Sequence, residues 1–174
     1  RAITQDKAAD GFRYTKFAVV RQTLRQLKDT VVRDCETILG SVGQWKVSES
    51  TFNVNFDDVR SQWLFIPLET AEDRARLLSM QLTGGWLSEC IEMDLDVLGP
   101  LGDRLGRYPS GDRGLPSWHG WIADTNFPQE MSPWHQFMEE PPLGVSVFKQ
   151  PSGLSPEAEN LNWIGPQTPA TIKL

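Results

Sequence analysis

Two polar tips in this sequence stand out because each follows an apolar run. Leu82-Thr83-Gly84-Gly85-Trp86-Leu87 leads into Ser88-Glu89, and Gly120-Trp121-Ile122-Ala123 leads into Asp124-Thr125-Asn126. Short apolar runs of this kind read as strands of a buried sheet. In an open α/β sheet, ligands sit outside the carboxyl ends of the strands. If the two strands are neighbours, a carboxylate and a Thr-Asn pair meet in one crevice. The carboxylate can polarise an attacking water, and the hydroxyl and amide can orient that water or a phosphate. Such parts suit phosphoryl transfer, which rests on positioning and electrostatics. Each tip also has a structural explanation. Glu89 can be a helix-start residue facing the dipole of the next helix. Thr125-Asn126, ahead of Pro128, can be a turn whose side chains bond the local backbone, with Asp124 as its cap.

Other chemistry-bearing residues are sparse. His119 and His135 lack a paired Cys or His at ligand spacing, so no metal site is expected. Cys35 and Cys90 lie too far apart in sequence to imply a disulfide framework, and a reducing compartment is the simpler setting. Trp118, Trp121 and Trp134 are expected to pack in the core or an interface rather than to stack on bases. A net charge of −6 and a pI of about 4.9 argue against a freestanding nucleic-acid binder, which would carry a basic patch. They leave room for a motor domain whose DNA contacts lie elsewhere in a longer chain. No apolar run approaches the roughly 20 residues that span a bilayer. The chain opens on Arg1 without an initiator Met or an apolar signal segment, and a truncated or processed piece is the expectation.

Strand and helix signals alternate along the chain, which favours an α/β parallel sheet. Lys16–Val20 reads as a buried strand after a polar lead-in over 1–15. Leu24, Leu27, Val31, Cys35 and Ile38 or Leu39 form one apolar stripe on a helix, with Gly40 as its stop. Trp45, Val47, Phe52, Val54 and Phe56 suggest an exposed antiparallel pair, with Asp57-Asp58 turning into a strand over 62–68. Thr70 and Asp73 predict a capping box on a helix over 71–80. A helical stretch runs through Leu95, Leu98, Leu101 and Leu105, which Gly99-Pro100 must kink or restart. Residues 109–118 read as a loop. Ser132-Pro133 opens a helix over 133–140. Val145–Phe148 reads as a last strand, and 151–174 as a tail or linker.

An ordered set of motifs resembles the large subunit of tailed-phage terminases. Thr83-Gly84-Gly85-Trp86-Leu87-Ser88-Glu89-Cys90 is similar to that family's second acidic motif, and Arg104-Leu105-Gly106-Arg107-Tyr108-Pro109-Ser110 follows at a similar interval. Ile122-Ala123-Asp124-Thr125-Asn126-Phe127-Pro128 resembles its coupling motif, with Trp134-His135 opening the next helix. Val19–Thr23 with Leu27–Thr30 resembles its second strand and helix, and the run from Phe148 to Asn160 resembles the segment that closes the ATPase domain. The resemblance covers most of residues 16–162. It implies a P-loop NTPase-like fold of the additional-strand type: a mostly parallel sheet flanked by helices, incomplete at the N-terminus. It implies Glu89 as the catalytic carboxylate, Asp124, Thr125 and Asn126 as the coupling group, and Arg76 or Arg74 as a finger acting across subunits. Arg104 and Arg107 are alternatives. All four arginines can instead be solvated or face a helix end. Ser88 stands where many relatives have a magnesium-associated Asp, and a hydroxyl is a poorer ligand.

The resemblance further implies ATP and Mg2+ as ligands of the full-length protein. It implies double-stranded DNA, a portal protein, a small terminase subunit and further copies in a ring as partners, working in the host cytoplasm. Yet no G-x-x-x-x-G-K-[ST] run occurs among the 174 residues, and such a run is what cradles and neutralises the phosphates. Residues 1–150 are therefore expected to form a partial ATPase domain, inactive on its own, with 151–174 leading toward an absent nuclease domain. A sheet lacking its phosphate-loop strand is expected to expose an edge and to associate. Two alternatives stand beside this one: a non-catalytic α/β interaction domain with a Trp-rich partner surface, and an unrelated α/β binding module.

Overall fold

Ala18, Val19 and Val20 alternate across the strand β1 (Arg13–Arg21), and all three are buried, so both faces of this strand are covered. That is the signature of an interior strand, and it explains why Lys16–Val20 reads as an uninterrupted apolar run. The structure, a computed structural model, describes residues 1–151 and Ser155. Its strands are β1, β2 (Gly43–Lys46), β3 (Thr51–Phe56), β4 (Val59–Pro67), β5 (Gly84–Ser88) and β6 (Gly120–Asp124). They form one six-stranded sheet in the order β2-β3-β4-β1-β5-β6. β4, β1, β5 and β6 run parallel, while β2-β3 and β3-β4 are antiparallel. The sheet is thus mixed, a parallel core extended by a meander, and helices cover both faces.

One face carries Val19, Phe52 and Phe65 against a helical arm made of α1 (Leu24–Gln26), a π-helical turn over Leu27–Val32 and α2 (Arg33–Leu39). Thr23 opens this arm with a capping box to Gln26. The π turn inserts extra backbone into the helix and rotates the stripe. Val32 joins Leu27, Val31 and Cys35 in the buried set, Leu39 packs at its margin, and Ile38 turns out to solvent. The opposite face carries Ala18, Val20, Ile66 and Leu87 against α3 (Ala71–Leu78), α4 (Leu98–Gly102) and α5 (Pro133–Glu139). The capping box of Thr70 and Asp73 forms as expected.

The helical stretch restarts near Gly99-Pro100 as expected: both residues lie in the opening turn of α4, where Pro removes no required hydrogen bond. Two expectations need correction. The long leucine stretch is realised as a 3-10 turn over Leu95–Val97 followed by α4, and Leu105 lies beyond it. Val145–Phe148 is not a strand: the alternation is present, but among the described residues no partner strand lies beside it, and Phe148 is exposed. The tail over 151–174 falls outside the described residues, apart from Pro151 and Ser155.

β6 ends the parallel core with an open outer edge. Ile122 and Ala123 are exposed there, and among the described residues nothing pairs with its outer backbone groups. Unpaired apolar edges template association. Sedimentation velocity should show concentration-dependent self-association in the micromolar range typical of such species, and Ile122→Lys should suppress it. A monomer at every concentration would contradict the edge argument.

Candidate active site

β5, between β1 and β6, packs closely against Phe17 of β1 and Leu101 of α4 because its first two residues lack a Cβ. A methyl on Gly84 would sit 2.8 Å from the Phe17 ring, and one on Gly85 would sit 2.9 Å from Leu101. The strand ends at Ser88, which is buried, and the chain then turns sharply at Glu89, whose φ of 52° and ψ of 56° are left-handed. A non-glycine residue there stores strain of about 1–3 kcal/mol. A single 3-10 turn over Cys90–Glu92 follows, in which the Glu92 amide donates to the Glu89 carbonyl at 3.0 Å. Glu89 makes no side-chain cap on that turn. Among the described residues its half-buried carboxylate has no hydrogen-bond or ion-pair partner.

The second tip stands beside the first. β5 and β6 pair in parallel with Ser88 opposite Asp124, so Glu89 and Thr125 follow on the same rim of the sheet. Asp124 reaches back across that pairing: the Trp86 indole N–H donates to one carboxylate oxygen, and the Glu89 backbone N–H donates to the other at 3.5 Å. Its carboxylate therefore braces β5 rather than capping its own turn. Thr125 Oγ1 is buried, has no hydrogen-bond partner of good geometry among the described residues, and lies toward the Cys90 thiol. Asn126 is exposed. The local-turn explanation for Thr125 and Asn126 thus lacks the side-chain-to-backbone bonds it requires.

Cys90 is walled into this site. Burial, followed by the nearby Asp124 carboxylate, pushes its thiol up to about 12, and burial, followed by Asp34, raises Cys35 to about 11. Neither is a nucleophile at neutral pH, since the thiolate is the reactive form. Both should resist alkylation until the chain unfolds. The sign of the linkage follows from the raised values. Stability contributed by these neutral thiols is complete below the ordinary thiol value of 9.0 and is lost as pH rises toward 11 and then 12. Urea midpoints should fall between about pH 8 and about pH 10, and the double Cys35→Ala, Cys90→Ala variant should lose that slope.

No protein-family model and no curated protein matches the chain. Solved structures do. The large terminase of the thermophilic bacteriophage D6E matches 75% of this chain with a TM-score of 0.57 and 16% identity. The chain shares the fold of a phage large terminase. A second crystal form of the D6E terminase matches 76% of the chain with a TM-score of 0.50 and 17% identity. The chain spans about 30% of the length of that terminase.

On this terminase fold the expected arginines fall into different settings. Arg74 and Arg76 lie on the exposed surface of α3, where Arg74 forms a loose ion pair with Asp94 at 3.5 Å. Arg76 has no side-chain partner among the described residues. Arg104 donates to the Leu78 carbonyl at 2.9 Å, at the C-terminal end of α3, as the dipole argument anticipates. Arg107 is exposed. The roles of three participants escape the sequence. Arg21, at the end of β1, and Gln26 both reach Glu92, just behind Glu89. Trp134 on α5 donates its indole N–H to the Met93 carbonyl at 2.7 Å. These links join residues 41 to 71 positions apart, and only the charge of Arg21 and the buried polar end of Trp134 could have hinted at them.

Proposed function

We propose that this chain supplies the water-activating carboxylate and the coupling tip of an ATP-driven viral DNA-packaging translocase, a terminase large subunit. The observation that carries the reading is the pairing of Ser88 with Asp124, which brings Glu89 and Thr125-Asn126 to one rim. Glu89 holds a water in line with the γ-phosphoryl group of ATP and takes its proton as the water oxygen bonds phosphorus. The bond from phosphorus to the ADP oxygen breaks, leaving ADP and phosphate. Asn126 and Thr125 orient the water and respond to the loss of the γ-phosphate. Asp124 carries that response back to β5 through Trp86 and the Glu89 amide.

The phosphates must be held by another stretch of polypeptide, because these 174 residues contain no phosphate-loop motif. A resident metal does not fit: Ser88 is a buried hydroxyl, and among the described residues no group of three potential ligands gathers. Magnesium enters with the nucleotide. Arg76, exposed and without a side-chain partner among the described residues, is the better candidate for a finger acting in a neighbouring copy, with Arg74 restrained by Asp94. The partners of this reading are double-stranded DNA, a portal protein, a small terminase subunit and further copies of the chain in a ring, in the host cytoplasm.

The test compares the 174-residue chain alone with the same chain completed by a polypeptide carrying a phosphate loop. The chain alone should neither bind ATP tightly nor release phosphate, and the completed assembly should do both in a Glu89-dependent way. Glu89-dependent turnover by the chain alone, or turnover by the assembly that ignores Glu89, would overturn the proposal. A second reading, a non-catalytic interaction domain, draws on the exposed Ile122, Phe127 and Met131. Its Trp-rich surface has less support, because none of the six tryptophans among the described residues is exposed.

A further inference from the structure

Glu89 sits in a backbone conformation that a glutamate does not adopt without help. Only three residues, Cys90–Glu92, form the turn that follows, and two internal bonds close it: Glu92 N–H to the Glu89 carbonyl at 3.0 Å and Met93 N–H to the Cys90 carbonyl at 3.1 Å. Bonds this few in a single turn do not by themselves offset left-handed strain. Something outside the turn must hold it.

Asp124 at the Glu89 amide and Trp134 at the Met93 carbonyl each hold one end of the turn, and the grip on its middle is on Glu92. The Gln26 amide donates to its carboxylate at 3.0 Å, and the Arg21 Nε donates to the same oxygen at 3.5 Å. The Arg21 side chain is 12% exposed, so the guanidinium has little freedom to turn elsewhere. Its other arm donates to Thr30 Oγ1 at 2.8 Å, and that hydroxyl donates to the Gln26 carbonyl, also at 2.8 Å. Thr30 lies within the π-helical turn. The carboxylate behind Glu89 is therefore tied to the central strand and to the helical arm together.

We infer that Arg21 and Gln26 are positioning residues that keep the Glu89 turn left-handed by gripping Glu92. Its catalytic consequence rests on the reading of Glu89 given above, whereas the grip itself does not. Removing the grip frees the turn to relax toward ordinary backbone angles, and the Glu89 carboxylate then leaves the rim it shares with Asn126.

Amide hydrogen exchange on the intact chain tests the grip without any need for turnover. Arg21→Met should speed exchange at the Glu92 and Met93 amides about tenfold, while the Val20 and Leu87 amides of β1 and β5 stay unchanged. Glu92→Met should give the same pattern, the double variant should add nothing further, and Arg21→Lys should restore part of the protection. If Arg21→Met does not fold, Glu92→Met alone supplies the readout, since its carboxylate is the more exposed partner. Unchanged exchange at Glu92 and Met93, or a uniform rise across the chain, would overturn the inference. In the completed assembly, Arg21→Met should lower kcat about tenfold with KM unchanged. Faster local exchange without that fall in kcat would overturn the positioning role. Turnover insensitive to Glu89→Gln would instead defeat the functional reading, leaving the exchange data to judge the grip alone.

Discussion

Glu89→Gln in the completed assembly is expected to cut ATP hydrolysis by about a hundred- to ten-thousand-fold while leaving nucleotide affinity and folding unchanged, the range typical for removal of a general base. The amide keeps the shape of the side chain but cannot accept the proton of the attacking water. Folding should not suffer, because the carboxylate has no partner among the described residues to lose. The backbone sharpens the comparison. Glu89→Gly removes the same base and also relieves the left-handed strain, so its melting temperature should rise, with a gain of about 1 kcal/mol. An inactive but more stable glycine variant would identify Glu89 as a position where function opposes stability. Phosphate release and thermal melts on the parent, Gln and Gly forms check both halves, and a glycine variant less stable than the parent would contradict the strain argument.

Trp134→Ala should be the most damaging single change to the fold of this region, at about 3–5 kcal/mol. The ring is 5% exposed and packs against Phe137 at a centroid distance of 5.8 Å, and Phe137 in turn meets Trp121 on β6 at 6.4 Å. Its indole N–H also satisfies the Met93 carbonyl. Trp134→Phe separates the two contributions. It keeps most of the apolar surface but leaves that carbonyl unpaired, and should cost about 1–3 kcal/mol. Denaturant titration of both variants gives the comparison: the loss in the Phe form measures the hydrogen bond, and equal losses in the two variants would contradict a packing contribution from the ring. Because α5 follows the coupling tip and Trp134 holds the turn after Glu89, both variants should also slow hydrolysis in the completed assembly.

What was readable in the residues and what was not divides along sequence distance. The β1 run, the Thr70-Asp73 box and the Ser132-Pro133 start announce themselves locally, since propensity and capping act within a few residues. The two tips were readable as strand ends, and the α/β class as alternation. The π turn was not, because an apolar stripe reports which residues are buried without fixing how many fill each turn. The brace from Asp124 to Trp86 was hidden for another reason: it depends on the register between β5 and β6, which only the folded sheet sets. Val145–Phe148 shows the converse error. Alternation describes a chain able to become a strand, and a strand also requires a neighbour.

The hydrogen bond from the Trp86 indole to Asp124 has a practical side. The indole ring belongs to β5, while the carboxylate belongs to the tip that must shift if hydrolysis drives motion. Any displacement of that tip would exchange a charged acceptor for water and shift the emission of this one chromophore. With the other tryptophans replaced conservatively, Trp86 would serve as a built-in optical gauge of the stroke, read in real time and without an attached dye.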